Sequence, residues 1–273
     1  MNRSSDKPRA GAPRGGPRAG ATVAALLALA IVAAVGVPAC SGASPPVPGG
    51  DPAPGATAAP AFPEGLEYAP PAAGSYDLPP IMAAADGSVL DADNVTRRLS
   101  EFMGDRYVLL SFIYTHCTDS EGCPLATGAL AMVREMLAGE PGLSRRVRLV
   151  SLSFDPARDT PAVMRKYALH GGLAGPGTDD GAPAGAADRP WAFLTTASQA
   201  DLQAILDGYG QTIVPEIDAT GKPTGDFTHV LKVFLIDRRL RVRNIYSTSF
   251  LHPAIALNDL RTLWMEEGGG GPG

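Results

Sequence analysis

Cysteine and histidine are scarce in this chain, with three of the first and four of the second among 273 residues. Any thiol or soft-metal chemistry therefore rests on very few side chains. No Ser-His-Asp arrangement, phosphate loop or dinucleotide fingerprint lies near a suitable strand, which argues against a conventional turnover enzyme. The Gly-rich stretches are low-complexity and do not count as nucleotide sites. No internal repeat is visible. Net positive charge is confined to the first twenty residues. There Arg3, Lys7, Arg9, Arg14 and Arg18 face only Asp6, a net of +4. The chain's net −5 less that +4 leaves a body of −9. Phosphate binding needs clustered cations, so no nucleic-acid partner is expected. The overall composition, 45% hydrophobic and 19% charged, is that of an ordinary globular chain.

Long apolar runs are also rare. One stands out, the uncharged ATVAALLALAIVAAVGV from Ala21 to Val37. A basic leader followed by such a run reads as an export signal or a single membrane anchor. The run ends in Val-Pro-Ala-Cys, and Cys40 opens a stretch rich in Ser, Gly and Pro, as in a bacterial lipobox. Residues 1–40 are therefore read as leader plus signal or anchor. Tethering is either by lipid on Cys40 or by an uncleaved helix, and the body is placed on the extracytoplasmic face of a bacterial cell envelope. If Cys40 serves the anchor, only Cys117 and Cys123 remain. Two nearby thiols in an oxidising compartment form a disulfide, a metal site, or something that alternates between them.

Residues 41–75, dominated by Pro, Ala and Gly, read as an extended tether. Residues 76–267 carry the folded body, with a low-complexity surface loop at 171–188, and 268–273 form a frayed tail. Tyr107 to Tyr114 (YVLLSFIY) and Val147 to Phe154 (VRLVSLSF) have the continuous apolar character of strands buried on both faces. Leu125, Ala129, Met132 and Met136 recur at helical spacing before Gly139. Thr160-Pro161 starts a helix running to about His170. A short strand from Trp191 and a helix from about Ser198 to Gly208 follow. Two strands, 230–237 and 242–247, flank a turn at Asp237-Arg238-Arg239, and a last helix covers about 253–266. This order predicts a mixed α/β sheet flanked by helices, of thioredoxin-like type, with an extra N-terminal hairpin near Ile81 to Leu90.

The chemistry concentrates in Tyr114 to Pro124, YTHCTDSEGCP, where the first buried strand passes into a helix. Reactive groups in open α/β sheets gather at such turns. Pro124 suits the first helical position, which puts Cys123 at or near the N-cap, where the helix dipole lowers a thiol pKa. Gly122 lets the turn fold back. Two thiolates form a soft donor set for Cu(I) or Zn(II), and an imidazole would complete it. A plain stabilising disulfide remains the alternative. Among the histidines, His116 adjoins Cys117 but points to the opposite strand face, and His170 and His252 sit at helix edges. His229 precedes the strand VLKVFLID, where a lone histidine is commonly just a polar rim residue.

The runs YTHC…CP, SLSFDPARDTP, WAFLTT and THVLKVFLIDRRLRVRNIYS together resemble the Sco/SenC family of copper-binding cytochrome oxidase assembly proteins. The resemblance covers roughly residues 77 to 266. It implies a thioredoxin-like fold and a copper site, Cu(I) and/or Cu(II), made by Cys117, Cys123 and His229. It also places Asp155 near that site, as a supporting or partner-contacting group or as a strand-end cap. Trp191 matches a recurring family aromatic, read as core. Two departures stand out. Five residues, Thr118 to Gly122, separate the cysteines where the family has three, adding Glu121 near Asp119 as groups able to attract cations or position a redox partner. The acidic residue before the histidine is displaced to Asp226.

The function implied is a metallochaperone passing copper to a receiving protein such as an oxidase subunit. The alternative is a thiol–disulfide oxidoreductase acting on an apo-metalloprotein or haem-protein partner, with a thiol-reducing partner of its own and no necessary role for His229. A peroxidase-like use of Cys117 finds no arginine beside it in sequence.

Overall fold

The computed structural model describes residues 66, 68–173 and 189–269. The leader, Cys40, most of the tether, residues 174–188 of the low-complexity loop and the last four residues lie outside the described residues. No helix among those described is long and apolar enough to cross a membrane.

The core is a six-stranded sheet. Its central strands, β4 (Tyr107–Ile113) and β5 (Val147–Ser153), are parallel and buried at every position. Burial on both faces requires cover on both, and the apolar runs in sequence reflect it. Parallel neighbours need a crossover, here α1 (Cys123–Leu137) and the short α2 (Pro141–Ser144). β6 (Trp191–Leu194) continues the parallel side after α3 (Pro161–His170). On the other side β9 (Val233–Ile236) runs antiparallel to β4, and β10 (Arg241–Tyr246) antiparallel to β9. The edge is closed by the two-residue strand β1 (Met82–Ala83). With α4 (Gln199–Tyr209) and α5 (Pro253–Glu266), this mixed sheet flanked by helices is a thioredoxin-like α/β fold.

Local chemistry explains most boundaries. Thr160 and Ser198 cap α3 and α4 by accepting from Val163 N and Asp201 N. Gly210, at φ +57°, ends α4 in the left-handed conformation that glycine adopts most cheaply. Trp191 is core, as expected: its Nε1 donates to Ser151 Oγ at 3.1 Å, beneath the Arg134 guanidinium.

Four expectations need correcting. The N-terminal hairpin lies further on, between β2 (Ser88–Leu90) and β3 (Thr96–Arg98). Asp91 Oδ1 accepts from Asp93 N and Val95 N, which folds the chain back at this point. Met82–Ala83 is left to pair with β10. The strand expected from residue 230 starts only at Val233. Before it stands an unanticipated hairpin, β7 (Ile213–Ile217) with β8 (Pro223–His229). Proline, glycine and mostly exposed polar residues hid it from pattern reading. Finally, the buried stripe of α1 is Cys123, Ala126, Ala129, Leu130, Val133 and Leu137, while Met132 faces solvent. Methionine tolerates either side of an amphipathic helix, so it marked the stripe poorly. Contacts with the body also begin before residue 76: Gly74 N donates to Thr262 Oγ1 at 3.0 Å, and Asn258 Nδ2 to Pro71 O at 3.1 Å.

The β9–β10 turn rests on Asp237. Its Oδ1 accepts from Arg239 N and Arg241 N, and its Oδ2 from Arg241 Nε at 2.8 Å and Arg243 Nη1 at 3.0 Å. Burial alone would raise this carboxyl, but the bonds from Arg241 and Arg243 hold it below its ordinary value. A carboxyl lowered on folding stabilises above its unfolded pKa, and that stability is lost as pH falls through the folded value. Asp237→Asn is expected to cost about 2 kcal/mol or more at neutral pH, a gap that narrows below about pH 4. Urea unfolding across pH checks this; a gap unchanged down to acid pH would contradict it.

Candidate metal centre

Three strands deliver their ends to one edge of the sheet. Ile113 of β4 pairs with Ser153 of β5, so Tyr114 and the cysteine loop leave the sheet beside Asp155 and Asp159. β9 runs the other way, with Val233 opposite Ser111, so its entering segment arrives at the same edge and carries His229 with it. Topology therefore gathers groups that are more than a hundred residues apart in sequence.

Cys117 and Cys123 are both free thiols, Cys117 partly exposed and Cys123 buried. Their thiols lie close enough to influence one another's ionisation. Gly122 is the N-cap of α1 and Cys123 its first residue, so Pro124 stands one place later than expected. Gly122 packs tightly beside the thiol: a Cβ there would lie 3.2 Å from Cys117 Sγ and 3.3 Å from Asp119 Oδ2. Tyr114 serves both sulfurs: its backbone N–H donates to Cys123 Sγ at 3.4 Å, and the residue lines one cleft with Cys117. The helix start does not lower the Cys123 thiol as the sequence suggested. Burial pushes it well up, against the Tyr114 N–H, and neighbouring Cys117 adds to the rise.

His229 ends β8. Period-two alternation puts it on one face with Gly225 and Phe227, while Asp226 and Thr228 are exposed. Its ring packs edge-on against Phe154, with centroids 4.8 Å apart, and against Tyr114 at 6.4 Å. Phe227 closes the group at 5.4 Å from both Tyr114 and Phe154. These aromatic rings surround the imidazole on one side. Burial lowers its pKa, opposed by a backbone hydrogen bond at Val230 and by Asp119, so the ring is neutral and offers a lone pair near pH 7.

Cys117 and His229 line one cleft of about 430 Å³, with Tyr114, Asp119, Glu121 and Asp226 also on its walls. Asp119 is thus at the site; its Oδ1 accepts from Glu121 N at 3.0 Å and shapes the inter-cysteine loop. Asp155 is not on the cleft wall. It is buried and stands 3.9 Å from Arg158 Nη1. His116 is largely exposed and bonds Thr115 Oγ1. His170 ends α3, and His252 caps α5 by accepting from Ala254 N. Two thiols and a neutral imidazole are suitable donors for a soft metal. Among the described residues, though, no three His, Cys, Asp or Glu side chains are drawn into a metal-holding group.

Sequence reading missed Tyr114, Phe227 and Asp159. The first two were legible only once strand alternation around His229 was known. Asp159, fully buried, accepts from Thr115 N at 3.0 Å, from Thr115 Oγ1, and from Ser153 Oγ at 2.6 Å. It pins the exit of β4 to the end of β5. Removing it as Asp159→Ala is expected to cost about 3 kcal/mol, since it orphans several buried donors. Asn should restore part of that loss. Denaturant melts decide the matter, and an Ala variant as stable as the parent would refute the pinning role.

A model of the SCO1/SenC family matches residues 86–265. No curated protein sequence matches the chain. Among solved structures, the SCO1/SenC family lipoprotein from Bacillus anthracis is 21% identical, with a TM-score of 0.51, covering 67% of this chain and 96% of that one. The apo Sco1 protein of Thermus thermophilus is 22% identical, with a TM-score of 0.50, covering 71% and 95%. The copper-bound ScoI of Bradyrhizobium japonicum is 20% identical, with a TM-score of 0.50, covering 66% and 99%. At these identities the solved structures speak for the fold.

Proposed function

The chain belongs to the SCO1/SenC family, and from the site just described we propose that it is an envelope-tethered copper carrier. The observation behind this reading is a pair of free thiols at the sheet edge, of which Cys117 lines the same cleft as a neutral imidazole while Cys123 is buried behind it. Copper bound to the Bradyrhizobium relative supports it. Copper is cargo here, held by Cys117, Cys123 and His229. The two sulfurs suit Cu(I), and the imidazole helps accommodate Cu(II).

The two thiols have different parts. Cys123, buried under Tyr114, retains the ion. Cys117, partly exposed on the cleft wall, is the ligand an incoming donor displaces first. Binding Cu(I) releases the thiol protons, and transfer exchanges one sulfur at a time for donors of the recipient, an oxidase subunit being the type expected. His229 and the thiols must draw together around the ion. Tethering is by lipid on Cys40 or by an uncleaved anchor, and the lipoprotein relative favours the first.

A second reading uses the same thiols without a metal. As neighbouring free thiols, Cys117 and Cys123 can exchange with a partner's disulfide, giving up two electrons and two protons as their own S–S bond forms. His229 has no part in that chemistry.

The full chain in detergent, reduced and loaded anaerobically with Cu(I), separates the two. The carrier reading expects one copper per chain, lost in Cys123→Ala and weakened by about tenfold or more in His229→Ala. No tight copper, with a reversible Cys117–Cys123 disulfide indifferent to His229, would leave the oxidoreductase.

A further inference from the structure

The hairpin β7–β8 forms its own two-stranded sheet and shares no ladder with the main one. At its base, Gln211 Nε2 donates to Val230 O at 3.0 Å and Lys232 Nζ to Gly210 O at 2.7 Å. Its outer half is held elsewhere. Arg158 Nη1 donates to Gly225 O at 2.7 Å, a bond spanning 67 residues. Gly225 sits at φ +98°, in the left-handed region that favours glycine, and the Arg158 guanidinium occupies the space a Cβ would take. The absent side chain is the arginine's seat.

Arg158 itself stands on a firm base. The turn 155–159 is closed by Arg158 N and Asp159 N donating to Asp155 O at 3.1 and 2.8 Å, and by Asp155 N donating to Ser153 Oγ at 3.0 Å. Asp159 ties the same turn to Thr115, beside the cysteine loop. Buried Asp155 faces the guanidinium at 3.9 Å. One five-residue turn thus grips both halves of the site, the cysteine side through Asp159 and the histidine side through Arg158. Gly225, Phe227 and His229 share one face of β8, so a shift at Gly225 carries along the strand to the imidazole.

We infer that Arg158 is a positioning residue, oriented by Asp155, that clamps Gly225 and so sets where His229 stands relative to Cys117 and Cys123. The inference rests on His229 being a copper ligand. It also gives Asp155 a role at a distance from the cleft, acting through the arginine.

The test uses the full chain in detergent as Arg158→Met, Arg158→Lys and Gly225→Ala. In the copper-free protein, amide exchange over residues 223–229 should quicken about tenfold in Arg158→Met, as expected when a charge-assisted bond is lost, while residues 107–113 stay unchanged. Lysine should restore part of the protection, and Gly225→Ala should reproduce the loss. In the Cu(II)-loaded protein, the nitrogen hyperfine signature of the imidazole should weaken in Arg158→Met and Gly225→Ala, with Cu(I) still held by the thiols. Unchanged hairpin exchange would overturn the clamp. Faster exchange with an unaltered nitrogen signature would reduce Arg158 to a structural tie and overturn its positioning role. If the parent chain takes up no copper, the copper reading fails on its own, and hairpin exchange alone still decides the clamp.

Discussion

The parallel pairing of β4 with β5 is the constraint on which the rest depends. Parallel strands send their carboxyl ends to the same edge, and here the ladder runs without a break from Tyr107 and Val147 to Ile113 and Ser153. Everything at the candidate site is hung from that edge. Tyr114 and the cysteines follow β4, and Asp155, Arg158 and Asp159 follow β5. Asp159 then locks the two exits together through Thr115 and Ser153. The antiparallel pairing of β9 with β4 adds His229 from the opposite chain direction.

The central architecture was legible because its strands are buried on both faces. A continuous apolar run such as YVLLSFIY, too short for a helix of ordinary length and rich in β-formers, fits a covered strand and little else. Thr160-Pro161 announces a helix start by plain capping chemistry. The β7–β8 hairpin was not legible. PTGDFTH contains a proline and a glycine and buries little, so neither propensity nor apolar periodicity marks it as a strand. The consequence reached the site: His229 was expected in a loop, and it stands at the end of a strand whose alternation aims it with Phe227. Cys117 and Cys123 were singled out by their placement between strand and helix. Their protonation was misjudged, because a helix-start argument knows nothing of the burial that outweighs the dipole at Cys123. Asp159 and Arg158 lie within the run SLSFDPARDTP, but only the fold shows what they reach.

Five residues separate the thiols, yet the loop is tightened by bonds of its own, Gly122 N to Asp119 O at 3.0 Å and Glu121 N to Asp119 Oδ1. The thiols remain neighbours across this loop. Asp119 and Glu121 also bring negative charge to the cleft wall, opposite Asp226 and Glu216. A cation approaching the sulfurs therefore meets a favourable field before it meets its ligands.

The claim at the centre is that two sulfurs and one imidazole converge on a single ion. Copper X-ray absorption on the Cu(II)-loaded chain measures that most directly. The account predicts sulfur scattering together with the multiple-scattering pattern of one imidazole, the latter absent in His229→Ala. A copper environment of oxygen and nitrogen alone, unaltered by Cys117→Ala or His229→Ala, would contradict it.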